Sequence, residues 1–410
     1  MKIGILTNEY PPNVYGGAGV HVEYLTRELI KLDGKKHSVK VLCFGAQKER
    51  DSNLTVQGIN PERAFTAKNP KHQLFMDTMQ KDISMSDQLD DIDVVHCHTW
   101  YSHFAGLLVK QLQRVPLVLT THSLEPHRPW KAEQLGAAYN ASTWIEKTAY
   151  ENADGVIAVS ESMKNDVHEL YSVPFNKIRV IHNGIDINQF KPEAKAEVLD
   201  KYKIDRSLPY ILFVGRITRQ KGIIHLVNAI KDIKPGHQVV LCAGSPDTKE
   251  IGIEMEEKVE QAGKLSKNKI IWIREMVPRE DLIPLYSQAA VFVCPSVYEP
   301  FGIINLEAMA CRTPVVASAV GGIPEVVVPG VTGVLVPIKP KSASEAEPAD
   351  PVKFARDIAD AVNSIIDSPD KLKQMGIKSR QRVEEHFSWS SIAAQTLAFY
   401  KELITKKETL

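Results

Sequence analysis

The sequence predicts an α/β protein with two domains, each built on a parallel sheet flanked by helices. The chain has 410 residues, more than one compact core usually holds, so two domains of roughly 200 residues are expected. Short apolar runs rich in β-branched residues alternate with one-sided helical patterns, as strands buried on both faces require. A glycine-rich turn joins the first run to the first helical pattern, which is typical of a βαβ unit.

The predicted strands form two series. The first series consists of Ile3–Thr7, Val39–Phe44, Asp93–His96, Leu117–Thr121, Gly155–Val159 and Ile178–Ile181. The second series consists of Ile211–Val214, Val239–Ala243, Ile270–Ile273, Val291–Cys294, Val315–Ala317 and Val334–Val336. The stretch between the series is polar, charged and contains prolines, which indicates a linker. We therefore expect domains at 1–188 and 210–386, a linker at 189–209, and a C-terminal helix at 387–410 that crosses back to the first domain.

Helical and loop patterns complete the prediction. The first helix should present one apolar face, because its apolar residues are spaced three and four apart. These residues are Ala18, Val22, Leu25, Leu29 and Leu32. Residues 339–351 are rich in Pro, Ser, Ala and Glu and are predicted to form an exposed loop. Residues 389–403 are predicted to be helical and apolar on one side.

Charge and cysteine content exclude several classes of protein. The 50 basic and 50 acidic residues interleave and give a formal net charge of zero, so no basic block indicates nucleic acid or an anionic membrane surface. The five cysteines are odd in number and most lie in apolar runs, which is typical of reduced buried thiols. With no signal-peptide pattern and no membrane-length apolar stretch, we expect a cytoplasmic protein without a membrane span.

The turn after the first strand contains Gly16, Gly17 and Gly19. Glycines at a helix start allow a phosphate to approach the backbone N–H groups and the positive end of the helix. Gly16 and Gly17 are therefore candidates for phosphate binding, and the alternative is a tight turn that only joins strand to helix. The spacing does not match G-x-G-x-x-G, and no acidic residue ends the second strand, so an NAD enzyme is disfavoured.

The loop after the first strand of the second series carries Arg216 and Lys221. Open α/β sheets bind ligands at the carboxyl ends of their strands. Two cations on one such loop can neutralise a diphosphate leaving group. The alternative interpretation is a solvated basic loop.

The segment after the fourth strand of the second series begins a predicted helix. The N–H groups of Ile303, Ile304 and Asn305 would then point at an anion. Glu307, about one turn further on, could accept hydrogen bonds from ribose hydroxyls, and Glu299 could reach a sugar. The alternative is two surface glutamates that flank a helix start.

Histidines follow two of the predicted strands. His122 stands at the carboxyl end of a buried strand and is either a structural residue or a group facing the ligand. His96 and His98 share one face of their strand, but no carboxylate or further ligand follows nearby. The sequence therefore predicts no metal site.

These motifs together resemble the retaining GT-B glycosyltransferases, and within them the bacterial glycogen synthases. The most specific match is an E-x7-E pattern from Glu299 to Glu307, followed by the glycine turn Gly321-Gly322. In the first half, residues 9–21, 98–101 and 121–136 resemble the short, actinobacterial-type branch of this family. The resemblance covers nearly the whole chain.

The resemblance implies two Rossmann-like domains facing across a cleft, with ADP-glucose as donor and retention of the anomeric configuration. It implies no cofactor and no metal, because side chains and amides meet the diphosphate charge. The residues to which it assigns catalytic roles are His122, Arg216, Lys221 and Glu299. The residues to which it assigns donor binding are Gly16, Gly17, Ile303, Ile304, Asn305 and Glu307.

The acceptor has two candidates. The expected reaction is transfer of glucose onto an α-glucan, and the alternative acceptor is glucose 1-phosphate, which members of this branch convert to maltose 1-phosphate. Arg128 and Lys131 follow His122 and could meet an acceptor phosphate, or could belong to a basic surface loop. The longer glycogen synthases have a lysine before the paired glycines, where this chain has Val14-Tyr15, and an aspartate where this chain has Thr99. Both departures concern the acceptor more than the donor.

Three further classes remain open from the sequence. A related GT-B transferase could use another nucleotide sugar, as sucrose-phosphate or lipid-glycan enzymes do. A nucleotide-sugar epimerase would share the fold but need no acceptor. A glucan-binding scaffold that has lost catalysis is disfavoured by the complete set of Arg216, Lys221, Glu299 and Glu307.

Overall fold

The computed structural model describes residues 1–14, 16–61, 65–128, 131–342 and 345–408. Its internal contacts divide the chain into two compact units. The first unit joins Met1–Gly184 to Trp389–Leu410, and the second unit is Ile185–Ser388. Tyr15 of the glycine-rich turn and Trp130 of the segment after His122 lie outside the described residues.

The first unit contains a sheet of eight strands in the order β3-β4-β2-β1-β5-β6-β7-β8. Its strands are β1 Lys2–Thr7, β2 Ser38–Phe44, β3 Lys48–Arg50, β4 Leu54–Ile59, β5 Val94–His98, β6 Leu117–Thr121, β7 Gly155–Ala158 and β8 Ile178–Val180. All neighbours pair in parallel except β3 with β4, which are antiparallel. The predicted first series of strands is confirmed to within two residues at each end. Strands β3 and β4 are not among the predicted strands.

Helices cover the sheet of the first unit. They are α1 Gly17–Leu29, α2 Gln73–Gln88, α3 His103–Gln113, α4 Lys131–Leu135, α5 Ala138–Asn152 and α6 Glu161–Tyr171. The predicted apolar face of α1 is confirmed at Val22, Leu25 and Leu29, which are fully buried in the core of this unit. Leu32 lies beyond α1, in a separate 3₁₀ turn, because the helix ends at Leu29.

The second unit contains a parallel sheet of six strands in the order β11-β10-β9-β12-β13-β14. Its strands are β9 Tyr210–Val214, β10 Gln238–Cys242, β11 Lys269–Ile273, β12 Val291–Cys294, β13 Val315–Ser318 and β14 Gly333–Val336. The predicted second series is thereby confirmed. In each sheet the strand order reverses at a central pair, β1 and β5 in the first unit and β9 and β12 in the second. This reversal is typical of a Rossmann-like sheet.

The predicted loop at 339–351 is wrong in part. A short antiparallel hairpin, β15 Pro340–Ser342 with β16 Glu345–Pro348, occupies it, and a helix begins at Pro351. The hairpin is largely exposed, and Lys341 pairs with Glu345 across it at 2.7 Å. Cross-strand pairing therefore forms strands in a segment whose composition favours a loop.

The helices of the second unit surround its sheet. They are α7 Ala196–Lys201, α8 Ile223–Ala229, α9 Lys249–Leu265, α10 Arg279–Gln288, α11 Ile303–Ala310, α12 Ile323–Val326, α13 Pro351–Asn363 and α14 Pro369–His386. The segment expected to be a linker belongs to this unit, where α7 buries Val198 and Leu199. The predicted C-terminal helix is observed as α15, Trp389–Glu408, and belongs to the first unit.

Two properties of the chain bear on function. All five cysteines are free and buried, as expected for reduced thiols. Within the described ranges, no helix is both long enough and apolar enough to cross a membrane.

Candidate functional site

The central feature of the second unit is an ion pair between Lys221 and Glu299. Lys221 follows β9 and Glu299 follows β12, so both stand at the carboxyl end of neighbouring strands. Lys221 Nζ lies 2.7 Å from Glu299 Oε2, which also accepts a 3.0 Å hydrogen bond from Ser296 Oγ. Burial opposes the charge of the ammonium, but the adjacent Glu299 carboxylate raises the pKa of Lys221 above its ordinary value. Lys221 therefore carries its positive charge at neutral pH.

Two glycines allow the backbone approaches that bring this pair together. Gly222 has φ 61° and a side chain there would meet the Pro295 carbonyl oxygen at 2.0 Å. Gly321 has φ 55° and its hypothetical Cβ would lie 1.9 Å from the Glu299 carbonyl oxygen. Both glycines are in the left-handed region that favours glycine. The loops of Lys221 and Glu299 therefore pack closely because no side chain separates them.

Arg216 also follows β9, but its charge is engaged by a different carboxylate. Its Nη1 lies 2.6 Å from Asp247 Oδ1, and its side chain is about one quarter exposed. Arg216 lines a cavity of about 160 Å³ at the carboxyl ends of β9, β10 and β11. The other side chains on this cavity are mostly apolar and include Val214, Cys242, Met276, Val277 and Leu282. The cavity can hold a flat apolar group beside a cation.

The start of α11 matches the prediction in part. Gly302 precedes the helix, so the amides of Ile303 and Ile304 lie in its first turn. The Asn305 N–H, predicted to face an anion, instead donates to the Gly302 carbonyl at 3.0 Å. The Asn305 side chain is fully buried, and neither its oxygen nor its nitrogen has a partner among the described residues. The anion prediction therefore depends on the first two amides.

Glu307 lies one turn into α11 and is half-buried. Its Oε2 accepts a 3.0 Å hydrogen bond from the Tyr286 hydroxyl. Burial raises the pKa of Glu307 to about 7, although this hydrogen bond acts in the opposite direction. Both the carboxylate and the carboxylic acid are thus populated near neutral pH.

The glycine turn of the first unit already holds a carboxylate. The Gly16 N–H donates to Glu9 Oε2 at 2.8 Å, immediately before α1 begins at Gly17. The predicted phosphate position at Gly16 is therefore occupied by the protein's own anion, which is a favourable place for negative charge at a helix start. The sequence analysis did not foresee this role for Glu9.

Four buried or half-buried histidines cluster in the first unit. His122, directly after β6, has its Nε2 2.9 Å from His98 Nδ1. His21, on α1, has its Nδ1 2.6 Å from Asn183 Oδ1. His96 is held between the Tyr400 hydroxyl and Thr120 Oγ1, each at 2.6 Å.

These imidazoles are neutral at pH 7. Burial lowers the pKa of His21 to about 4 and lowers the pKa of His98 and His122 well below the ordinary value. One nitrogen from each of His21, His98 and His122 lies within 4.8 Å of the others, a group able to hold a metal ion. The prediction of no metal site rests on His96 and His98 alone, which share one face of β5. Histidines on α1 and after β6 carry no sequence signal that they meet there.

The two candidate acceptor residues differ in their surroundings. Arg128 Nη1 donates to Ser123 Oγ at 3.2 Å and lies 3.5 Å from Glu125 Oε1, and Glu125 is almost fully buried. Lys131 is half-buried at the start of α4. The charge of Arg128 is therefore already balanced by an acid of the same loop.

Two Rossmann-like units, one with a buried lysine–glutamate pair at the carboxyl ends of its strands, define the class of protein as a glycosyltransferase with the GT-B fold. Residues 15–189 match Glycosyltransferase Family 4, and residues 194–348 match Glycosyl transferases group 1. The chain belongs to the family of GT-B glycosyltransferases that contains the bacterial glycogen synthases and alpha-maltose-1-phosphate synthases.

Similar proteins extend over the full chain. An alpha-maltose-1-phosphate synthase of Mycolicibacterium smegmatis is 45% identical over 98% of this chain and 100% of its own length. A glycogen synthase of Mycobacterium tuberculosis is 28% identical over 98% of this chain and 94% of its own length. The solved structure of a sucrose-phosphate synthase from Thermosynechococcus elongatus has a TM-score of 0.78 at 26% identity and covers 99% of both chains.

Proposed function

We propose that the protein transfers glucose from ADP-glucose to glucose 1-phosphate, with retention of configuration, and releases ADP and α-maltose 1-phosphate. The acceptor differs from the α-glucan expected from the sequence. The relative named for maltose 1-phosphate synthesis is 45% identical, whereas the glycogen synthase is 28% identical over the same share of the chain. That difference supports the sugar phosphate as acceptor.

The main observation in support of donor binding is the ion pair between Lys221 and Glu299. A lysine ammonium has three donors, and Glu299 takes one of them at 2.7 Å. The others are available to the diphosphate, whose charge grows as the anomeric bond breaks. The first amides of α11 add positive charge, whereas the charge of Arg216 is already paired with Asp247 at 2.6 Å. Glu299 is assigned to the glucose hydroxyls.

The nucleoside is assigned to the remaining groups of the second unit. The apolar cavity of about 160 Å³ beside Arg216 suits the adenine ring. Glu307, in its carboxylate form, accepts hydrogen bonds from the ribose hydroxyls. Tyr286 holds that carboxylate in place through its 3.0 Å hydrogen bond.

His122 of the first unit is assigned to the sugar. As a neutral imidazole it can donate one hydrogen bond to a glucose hydroxyl without adding a positive charge beside the oxocarbenium-like anomeric carbon. The resemblance to the family implies that the leaving phosphate accepts the proton of the acceptor hydroxyl. A second carboxylate for acid–base catalysis is then not required, in contrast to glycosidases.

A glycogen synthase activity is the second candidate, and one observation favours it. Arg128, the cation proposed to meet the acceptor phosphate, lies 3.5 Å from the buried Glu125. An arginine already paired in this way has less charge to offer a phosphate. The acceptor must therefore be tested directly.

The test incubates purified protein and labelled ADP-glucose with glucose 1-phosphate or with glycogen, and identifies the products by mass spectrometry and NMR. We expect maltose 1-phosphate as the main product. Incorporation into glycogen, with none into glucose 1-phosphate, would instead establish the glycogen synthase.

Lys221→Ala should lower turnover with either acceptor by about 10²–10³-fold, as loss of one charge-stabilising donor does. Lys234→Ala removes an exposed ion pair and should leave turnover unchanged.

A further inference from the structure

Three imidazoles in the first unit form a nearly regular triangle. The ring centroids of His21 and His98 are 5.4 Å apart, those of His21 and His122 are 4.8 Å apart, and those of His98 and His122 are 5.2 Å apart. The rings come from three separate elements, namely α1, the end of β5 and the residue after β6. No disordered or terminal segment is needed to assemble them.

This triangle has the dimensions of a three-histidine metal site. A tetrahedral metal at ~2.0–2.1 Å from three imidazole nitrogens places the ring centroids about 5 Å from one another. One nitrogen of each ring already lies within 4.8 Å of the other two. The ligand nitrogens of a tetrahedral ion lie ~3.3 Å apart, so the rings must move inward for all three to reach one ion.

Of the hydrogen bonds made by these rings, one reaches a residue outside the triangle and one joins two members of it. His21 Nδ1 pairs with Asn183 Oδ1 at 2.6 Å, which leaves Nε2 for an ion and is the outer partner that metal-binding histidines commonly have. His98 Nδ1 and His122 Nε2 face each other at 2.9 Å and share one hydrogen, so an ion bound by this pair would replace that hydrogen.

His96 is the neighbour that cannot join the group. Its ring centroid is 4.2 Å from that of His98, but Tyr400 and Thr120 occupy both of its nitrogens. The fold thus separates three histidines that can coordinate from a fourth that cannot.

We propose that His21, His98 and His122 bind one divalent late transition-metal ion, with Zn²⁺ as the representative, and leave the fourth position for water or another ligand. Imidazole nitrogens suit zinc, copper and nickel, whereas magnesium and calcium prefer oxygen ligands. Under the proposed function His122 contacts the glucose, and the ion then competes with the sugar and inhibits transfer.

The test titrates Zn²⁺ into the full-length protein, stripped of metal with EDTA and dialysed, by isothermal calorimetry. Co²⁺ is added in parallel, because four-coordinate Co²⁺ gives a strong visible spectrum. We expect one ion per chain. His21→Ala and His122→Gln should abolish this binding, and Asn183→Ala should weaken it by about 10–100-fold, as loss of an outer partner does. The control His386→Gln removes a largely exposed histidine of the second unit and should bind normally.

Thermal melts establish that each variant is folded. If His21→Ala does not fold, His122→Gln still tests the site, because His122 is only half-buried. Equal binding by the wild type and His122→Gln, or no binding by the wild type, would overturn the site. Transfer activity is measured separately in EDTA. Failure of the proposed reaction there leaves the binding isotherm unchanged, so the two proposals can fail independently.

Discussion

At the scale of single residues, Glu307 shows how burial can couple binding to pH. Its carboxyl group is desolvated in the second unit, which raises its pKa to about 7. The carboxylate accepts hydrogen bonds from ribose hydroxyls through both oxygens, whereas in the protonated form one oxygen carries a hydrogen and donates instead. Since the raised pKa favours the protonated form as pH falls, donor binding should weaken on the acid side of neutrality.

We therefore expect the KM for ADP-glucose to rise below pH 7, by at most tenfold per pH unit, because one proton is linked to binding. The diphosphate diester of the donor does not titrate in this range. Glu307→Gln keeps a hydrogen-bond acceptor for Tyr286 and should give a weaker but pH-independent KM between pH 5.5 and 8. A wild-type KM that stays constant over this range would argue against the ribose role of Glu307.

The sequence predicts which charged residues belong to the candidate site, but not how these residues pair. Lys221 and Glu299 were chosen as separate features, 78 positions apart, and the structure joins them in one buried ion pair. Arg216 was expected beside Lys221 but is paired with Asp247. Such pairings depend on which strands are neighbours in the sheet, and local sequence patterns contain no information about that order.

At the scale of elements, the glycine turn after β13 positions the loop of Glu299. Gly322 N–H donates to the Glu299 carbonyl at 3.1 Å, and Gly321 lets the two backbones approach. Elements buried on both faces were predicted well, since their apolar runs are long and continuous. Of the missed elements, β3 and the hairpin are short and largely polar, whereas β4 buries Leu54, Val56 and Ile59 but lacks a continuous apolar run. Each of them pairs with an adjacent strand.

Gly321→Ala should destabilise the second unit and lower turnover, because its Cβ would lie 1.9 Å from the Glu299 carbonyl oxygen. Gly330→Ala is the matched control, since Gly330 also has a positive φ, of 73°, but has open space around its Cβ position. The control should show only the backbone strain, about 1–2 kcal/mol. Chemical unfolding and turnover are measured for both. Equal losses of stability and activity in the two variants would mean that the close approach to Glu299 is unimportant.

At the scale of the whole molecule, the first unit is discontinuous in sequence. Its core includes Ile392, Leu397 and Phe399 of α15, which follow the entire second unit along the chain. Tyr400, also on α15, donates to or accepts from His96 Nδ1 at 2.6 Å, beside the histidine cluster. The last helix therefore supports the site of the first unit through packing and through a hydrogen bond.

Leu397→Ala should accordingly destabilise the first unit by about 2–5 kcal/mol, since it removes a side chain that is only 4% exposed from that core. Gln395→Ala, on the exposed face of the same helix, should change stability by less than about 0.5 kcal/mol. Native-state hydrogen exchange resolves the two units. In the Leu397 variant, amides of 1–184 and of α15 should lose protection. Amides of 185–388 should keep their protection, because α15 is not part of that unit. A uniform loss across both ranges would mean that the units unfold as one and that α15 does not belong to the first unit alone.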